Sequence, residues 1–291
     1  MAIPLPEVPG VEHRFVELDR VRMHVAEAGE GDPVVLLHGW PQHWWSWRHL
    51  IPELARDHRV ICPDLTGLGW SDAPASGYRK DQLAADVMAL LDALEVDRFH
   101  LVGHDWGAFV GFLMCLDAPD RIPGYLALSI PHLWQRSTPL SLRQLRQVAN
   151  LWYQVALASP LAGERLVREG TFPTGVLKGA RHLGRWTDEE LATYVDVLRQ
   201  PDQVRASVAY YRTFLLHEIG PLVAGRYRSR RLTVPTLLML GAHDRVVRDS
   251  DTTGHEPYAD DLRIEWVPDA GHFIPEERPE LVLERARELL A

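Results

Sequence analysis

Through its first 130 residues the 291-residue chain alternates short apolar runs with stretches of helical periodicity. Residues 33–37 (Pro-Val-Val-Leu-Leu), 58–62, 99–102 and 125–130 are such runs. Each has the length of a strand and is apolar enough to be buried on both faces. Between them, residues 80–95 place Leu83, Val87, Leu90, Leu91 and Leu94 on one helical face, with Asp81 in the first turn. Residues 108–116 read as a second helix, and residues 14–18 and 22–26 flank Asp19-Arg20 as a hairpin. Alternation of this kind has few packing solutions. The one expected is an α/β architecture, a mostly parallel sheet with helices over both faces.

The alternation then stops. From residue 131 to residue 231 only helix-type periodicity is present, clearest over residues 141–158 and 201–216. Thr187 and Glu190 stand at the spacing of a capping box ahead of a helix over residues 191–198. Strand and helix signals resume at residues 235–240, 263–267 and 279–290. The expected organisation is a core of residues 1–131 and 232–291, interrupted by a helical cap of residues 132–231.

Composition narrows the function classes. Hydrophobic residues at 46% and charged residues at 24% are ordinary globular usage and exclude a disordered, collagenous or coiled-coil chain. The net charge of −9 and the lack of a basic tract argue against nucleic acid or an anionic membrane as the main partner. Two cysteines, Cys62 and Cys115, exclude a disulfide framework and suit a reducing cytoplasm. No basic and apolar leader precedes the first strand and no apolar run approaches 18 residues, so neither a signal peptide nor membrane insertion is expected. The histidines show no metal-ligand spacing, and neither a metal nor a cofactor is expected.

Chemistry concentrates at Gly103-His104-Asp105-Trp106-Gly107, between a predicted strand and a predicted helix. In a turn this tight, side chains two residues before and two after the centre collide with neighbouring backbone, so both must be very small. The centre is pushed out at the carboxyl end of the sheet, where α/β crevices lie. Here the centre is Asp105. Asp244 follows the strand at 235–240, and His272 follows the strand that ends at residue 267. Nucleophile, acid and His therefore occur in that order, each at the carboxyl end of a strand. His38-Gly39-Trp40-Pro41 follows the first buried strand, where one backbone oxyanion donor is expected. Trp40 and Trp106 are assigned as the two N–H donors, since Pro41 has none.

With these residues the chain resembles the epoxide hydrolase branch of the α/β-hydrolase fold family. The likeness extends from His38–Pro41 through Pro63-Asp64-Leu65-Thr66-Gly67-Leu68-Gly69-Trp70-Ser71 and the Asp105 elbow to Asp244 and His272. It implies two cap tyrosines that hold the epoxide oxygen, and the family's Tyr-Gln and Tyr-Arg motifs match Tyr153-Gln154 and Tyr211-Arg212. Tyr210 is then expected to face away. His38, Pro41 and Trp152 are expected in the substrate pocket. The implied reaction converts a small apolar epoxide and water into a vicinal diol through an ester on Asp105. Haloalkane dehalogenases share the elbow. That alternative needs Trp106 and a second donor, such as Trp134, Trp152 or Trp186, for the halide. A non-catalytic binding protein on the same scaffold is a third reading, although all three triad residues are present. The sequence leaves monomer and homodimer open.

Overall fold

The computed structural model describes residues 3–134, 152–159, 162–169, 171–245, 247 and 252–290. Eight strands form one sheet in the order β1-β2-β4-β3-β5-β6-β7-β8. They are β1 (Glu12–Glu17), β2 (Arg22–Ala28), β3 (Asp32–Leu37), β4 (His58–Pro63), β5 (His100–His104), β6 (Tyr125–Leu128), β7 (Thr236–Gly241) and β8 (Leu262–Val267). β1 and β2 form the expected hairpin and β2 pairs antiparallel with β4. From β4 to β8 all pairing is parallel.

Successive side chains of a strand point to opposite faces, and the two cores divide accordingly. Val35 and Leu37 of β3 pack with Leu83, Val87 and Leu90 of α2 (Lys80–Ala93) and with Phe112 of α3 (Trp106–Asp117). Val34 and Leu36 face the other way, against Trp44, Trp47, Ile51 of the one-turn α1 (Ile51–Leu54), and Val282. Trp44 and Trp47 are thus core residues of the far face. β5 runs two residues beyond the expected strand, because Gly103 pairs with Leu37 and Ala127, and His104 with Leu128. Cys62 and Cys115 are both free and buried.

Between β6 and β7 the described residues carry helices and no strand: α4 (Trp152–Ala158), α5 (Gly163–Arg168), α6 (Phe172–Ala180), α7 (Asp188–Leu198), α8 (Pro201–Thr213), a π-helical turn (Phe214–Glu218) and α9 (Ile219–Val223). Most of the helix expected over residues 141–158 lies outside the described residues. Thr187 and Glu190 form the capping box at the start of α7, each side chain bonding the other's backbone N–H. Buried Lys80 ties this segment to the core. Its ammonium donates to Glu218 at 3.2 Å and to the Tyr210 carbonyl at 3.0 Å, and lies 4.3 Å from the centre of the Trp106 ring. After β8 come α10 (Ile274–Glu277) and α11 (Pro279–Leu290). No described helix is long and apolar enough to cross a membrane.

Candidate active site

Asp105 occupies the elbow between β5 and α3 with φ 52° and ψ −121°, a conformation that L side chains rarely adopt. The flanking glycines make it possible. A Cβ at Gly103 would come within 2.8 Å of the Ala108 backbone, and one at Gly107 would collide with the Leu37 and His38 carbonyls. The strained turn lifts the Asp105 carboxylate off the sheet edge and leaves its two oxygens with different neighbours. Oδ1 accepts from the Trp40 N–H at 2.9 Å, and the Trp106 N–H also donates to the carboxylate. Oδ2 lies 3.5 Å from His272 Nε2. The other face of the imidazole is held by Asp244, whose Oδ2 is 2.8 Å from His272 Nδ1.

The electrostatics follow from this sandwich. Burial alone would raise the Asp105 carboxyl. The hydrogen bond and charge of His272 outweigh it and hold the carboxyl below its ordinary value. Burial likewise works against charge on His272, yet the Asp244 carboxylate and then the Asp105 contact push the imidazole up to about 10. At neutral pH the resting site is therefore an imidazolium between two carboxylates. Behind it, burial and the nearby His272 bring His104 down to about 4, so it is neutral. Its Nε2 donates to the His272 carbonyl at 2.8 Å.

Facing the carboxylate is a cavity of about 460 Å³. Trp40, Asp105 and His272 line it from the core, and Tyr153 and Tyr211 from the helical segment. Tyr211 stacks edge-on against Trp40 and Trp106, with ring centroids 5.3 and 5.7 Å apart, and Tyr153 meets Tyr211 at 6.0 Å. Burial raises both phenols well above their ordinary value, so both keep their protons. Consecutive residues of a helix point about 100° apart. Tyr210 accordingly turns away and donates its hydroxyl to the Thr66 carbonyl at 2.8 Å.

Two expected pocket residues are elsewhere. His38 is fully buried, with Nδ1 3.1 Å from the Gly39 carbonyl and Nε2 accepting from the Leu65 N–H at 3.0 Å. Both ring nitrogens are spent on holding loops together, so His38 does not line the cavity. Pro41 follows a cis peptide bond from Trp40 and is not in the cavity wall either. The side chain of Trp152 lies outside the described residues. Conversely, one wall was not foreseen. It is the face of α6 carrying Phe172, Gly175, Val176 and Gly179, with Arg245 also on the lining. The spacing of Gly175 and Gly179 was a usable signal, since two glycines one turn apart weaken a helix and make sense where space is needed. A Cβ at either would have nothing within 4 Å.

Asp64 is fully buried beneath the site. It accepts from His24 at 2.7 Å and from the Trp44 and Trp70 N–H groups at 2.8 and 2.9 Å. Burial opposes its charge, but His24 and the neighbouring His38 and His43 hold its carboxyl down at about 2.

Residues 32–279 match the family described as alpha/beta hydrolase fold. The chain is 32% identical to the soluble epoxide hydrolase of Corynebacterium sp. (strain C12), over 97% of this chain and 98% of that one. It is 30% identical to epoxide hydrolase 4 of Mus musculus, over 90% of this chain and 74% of the relative. Among solved structures, ligand-free epoxide hydrolase CorEH superposes with a TM-score of 0.84 at 28% identity, covering 96% of this chain and 98% of that one. By its sheet, its elbow and these relatives, the chain belongs to the alpha/beta hydrolase fold family.

Proposed function

We propose that the protein hydrolyses epoxides to vicinal diols through an alkyl ester on Asp105. The observation that carries this reading is the placement of two protonated phenols, Tyr153 and Tyr211, in the lining of the same cavity as the Asp105 carboxylate. Opening a neutral epoxide needs a nucleophile at carbon and a proton for the departing oxygen, and this cavity offers both. The names of the relatives point the same way.

Asp105 Oδ2 attacks an epoxide carbon, and the ring carbon–oxygen bond breaks. The resulting alkoxide takes a proton from Tyr153 or Tyr211. Ester formation removes the charge of Asp105 and leaves a tyrosinate in the cavity. Both changes disfavour the imidazolium of His272. Its proton passes to the tyrosinate, and the neutral imidazole, oriented by Asp244, becomes the base for the second step. Water attacks the ester carbonyl carbon as His272 takes its proton. The oxyanion forms on Oδ1, where the Trp40 N–H already points, with the Trp106 N–H also directed at the carboxylate. Collapse releases the diol, whose oxygen takes the proton of the newly formed carboxyl. Asp105 returns as carboxylate and His272 as imidazolium, so protons and charge balance over the cycle.

Halide release is the rival chemistry, and it needs a second indole donor. The Trp134 Nε1 donates to the Tyr227 carbonyl at 2.8 Å and the Trp186 Nε1 to the Leu177 carbonyl at 2.9 Å. Neither of these two rings lines the cavity, and the side chain of the third candidate, Trp152, lies outside the described residues. An epoxide and haloalkane panel assayed side by side tests the choice. Diol formation without halide release is expected; halide release that exceeds diol formation overturns the reading. The helical segment acts as the cap in this scheme, and we place the protein in the cytoplasm, in keeping with its two free cysteines.

A further inference from the structure

The loop that carries His272 is held by more than its triad partner. Glu277, in the first turn after that loop, is buried and aims its carboxylate back at it. The Gly271 N–H donates to Oε2 at 3.1 Å and the Phe273 N–H to Oε1 at 3.1 Å, one on each side of His272. The same Oε2 accepts from the His182 and Leu183 N–H groups at 2.8 and 2.6 Å. His182 and Leu183 are the chain leaving α6, whose face lines the cavity. The His272 N–H itself donates to the carbonyl of Ala180, the last residue of α6, at 2.8 Å. Packing at this junction is close: a Cβ at Gly271 would come within 2.8 Å of the His182 nitrogen and 3.1 Å of Glu277 Oε1.

We propose that Glu277 is a positioning residue for the second half-reaction: it sets His272 against Asp105 and locks that position to α6, the cavity wall. Four backbone N–H groups from two separate segments converge on one buried carboxylate, and both residues flanking the base are among the donors. Backbone N–H groups need an acceptor when buried, so the carboxylate fixes both segments at once. An amide in its place offers one acceptor oxygen and turns an NH2 toward groups that can only donate. The His272 loop and the end of α6 then lose their common anchor. Attack by Asp105 needs no base and the carboxylate is already ionised, whereas activation of water needs the His272 imidazole itself in place. A displacement of this kind slows a base-catalysed step by roughly 10- to 100-fold.

The neighbouring Glu276 provides the control. Its carboxylate is equally buried and accepts from Tyr194, from Arg48 at 2.8 Å and from Gln42 at 3.1 Å, none of them in the His272 loop; only its backbone N–H reaches that loop, at the Phe273 carbonyl. The inference rests on the ester mechanism, so its test includes the triad. Purified wild-type protein, Glu277→Gln, Glu276→Gln and His272→Gln are each mixed with an aryl epoxide and quenched within one turnover. Intact mass then gives the fraction of alkylated protein. Glu277→Gln is expected to alkylate at a rate close to wild type and to accumulate the ester, while Glu276→Gln loses stability without accumulating it. If Glu277→Gln does not fold, Glu277→Asp keeps the charge and shortens the reach, and a smaller accumulation of the same kind is expected. Equal partition in wild type and the folded Glu277 variant, or accumulation in Glu276→Gln as well, overturns the assignment. If His272→Gln forms no adduct, the ester mechanism itself fails; if it does and the Glu277 variant does not, only the role of Glu277 fails.

Discussion

Asn in place of Asp105 copies the charge change that ester formation brings about, and it should free the His272 imidazole from its proton. His272 Nε2 is 3.5 Å from Asp105 Oδ2. At an effective dielectric of about 20, two unit charges at that separation attract by about 5 kcal/mol. At 1.36 kcal/mol per pH unit this is worth up to about three and a half units, and water entering the site reduces it. Asp105→Asn should therefore lower the His272 value by roughly one to three units, starting from about 10. The sign also fixes a stability trend. A raised imidazole contributes stability fully below its ordinary value of 6.5 and loses it as pH rises through about 10. Wild type should thus weaken in alkaline buffer, and Asp105→Asn should lose its share of that dependence at lower pH. The assay is a pH titration of the imidazole resonances by NMR, with His272 assigned from the signals missing in His272→Gln. A His272 value that stays within about half a unit of wild type refutes the idea that alkylation switches the base on.

Other expectations follow from the cavity and the core. Tyr153→Phe combined with Tyr211→Phe should slow ring opening of epoxides by about 10²- to 10⁴-fold in pre-steady-state alkylation; near-normal alkylation would show that the proton comes from elsewhere. Gly175→Leu projects a side chain from α6 into open space on the cavity wall. Bulky epoxides should lose kcat/KM while the smallest ones keep it, and thermal melts should show a helix stabilised by up to about 1 kcal/mol; equal losses for all sizes would mean that α6 does not limit the pocket. Asp64, depressed from 3.8 to about 2, contributes stability above pH 3.8 that is lost as pH falls toward 2. That contribution is about 2 kcal/mol. Asp64→Asn should flatten the acid limb of a denaturation series, and an unchanged limb would contradict the assignment.

The elbow and the order of Asp105, Asp244 and His272 were legible because local geometry or fixed order dictates them; the tyrosine pair was legible only through the family motifs that the chain resembles. Gly103 and Gly107 are demanded by backbone contacts that any strand–turn–helix of this tightness makes. Asp244 and His272 announce themselves by following strands. The Tyr-Arg motif picked out Tyr211, and the divergence of adjacent helical residues is why Tyr210 then turns away. What stayed hidden depends on contacts between distant segments. His38 sits beside Trp40 in sequence, yet its ring turns under the loop to Leu65. Glu277 touches residues 94 and 95 positions away, and nothing in its neighbourhood signals that. The α6 wall was hidden for the same reason: its residues look like a weak helix until the cavity they face is known.

A single turnover in 18O-labelled water tests the central claim most directly. Enzyme in excess is mixed with epoxide, and both diol and protein are analysed by mass spectrometry. The ester route hands the diol an oxygen from Asp105, so the first-turnover diol should carry no label. The 18O should appear in the peptide containing Asp105. Labelled diol with unlabelled protein would mean that water attacks the epoxide itself, and that Asp105 is not the nucleophile.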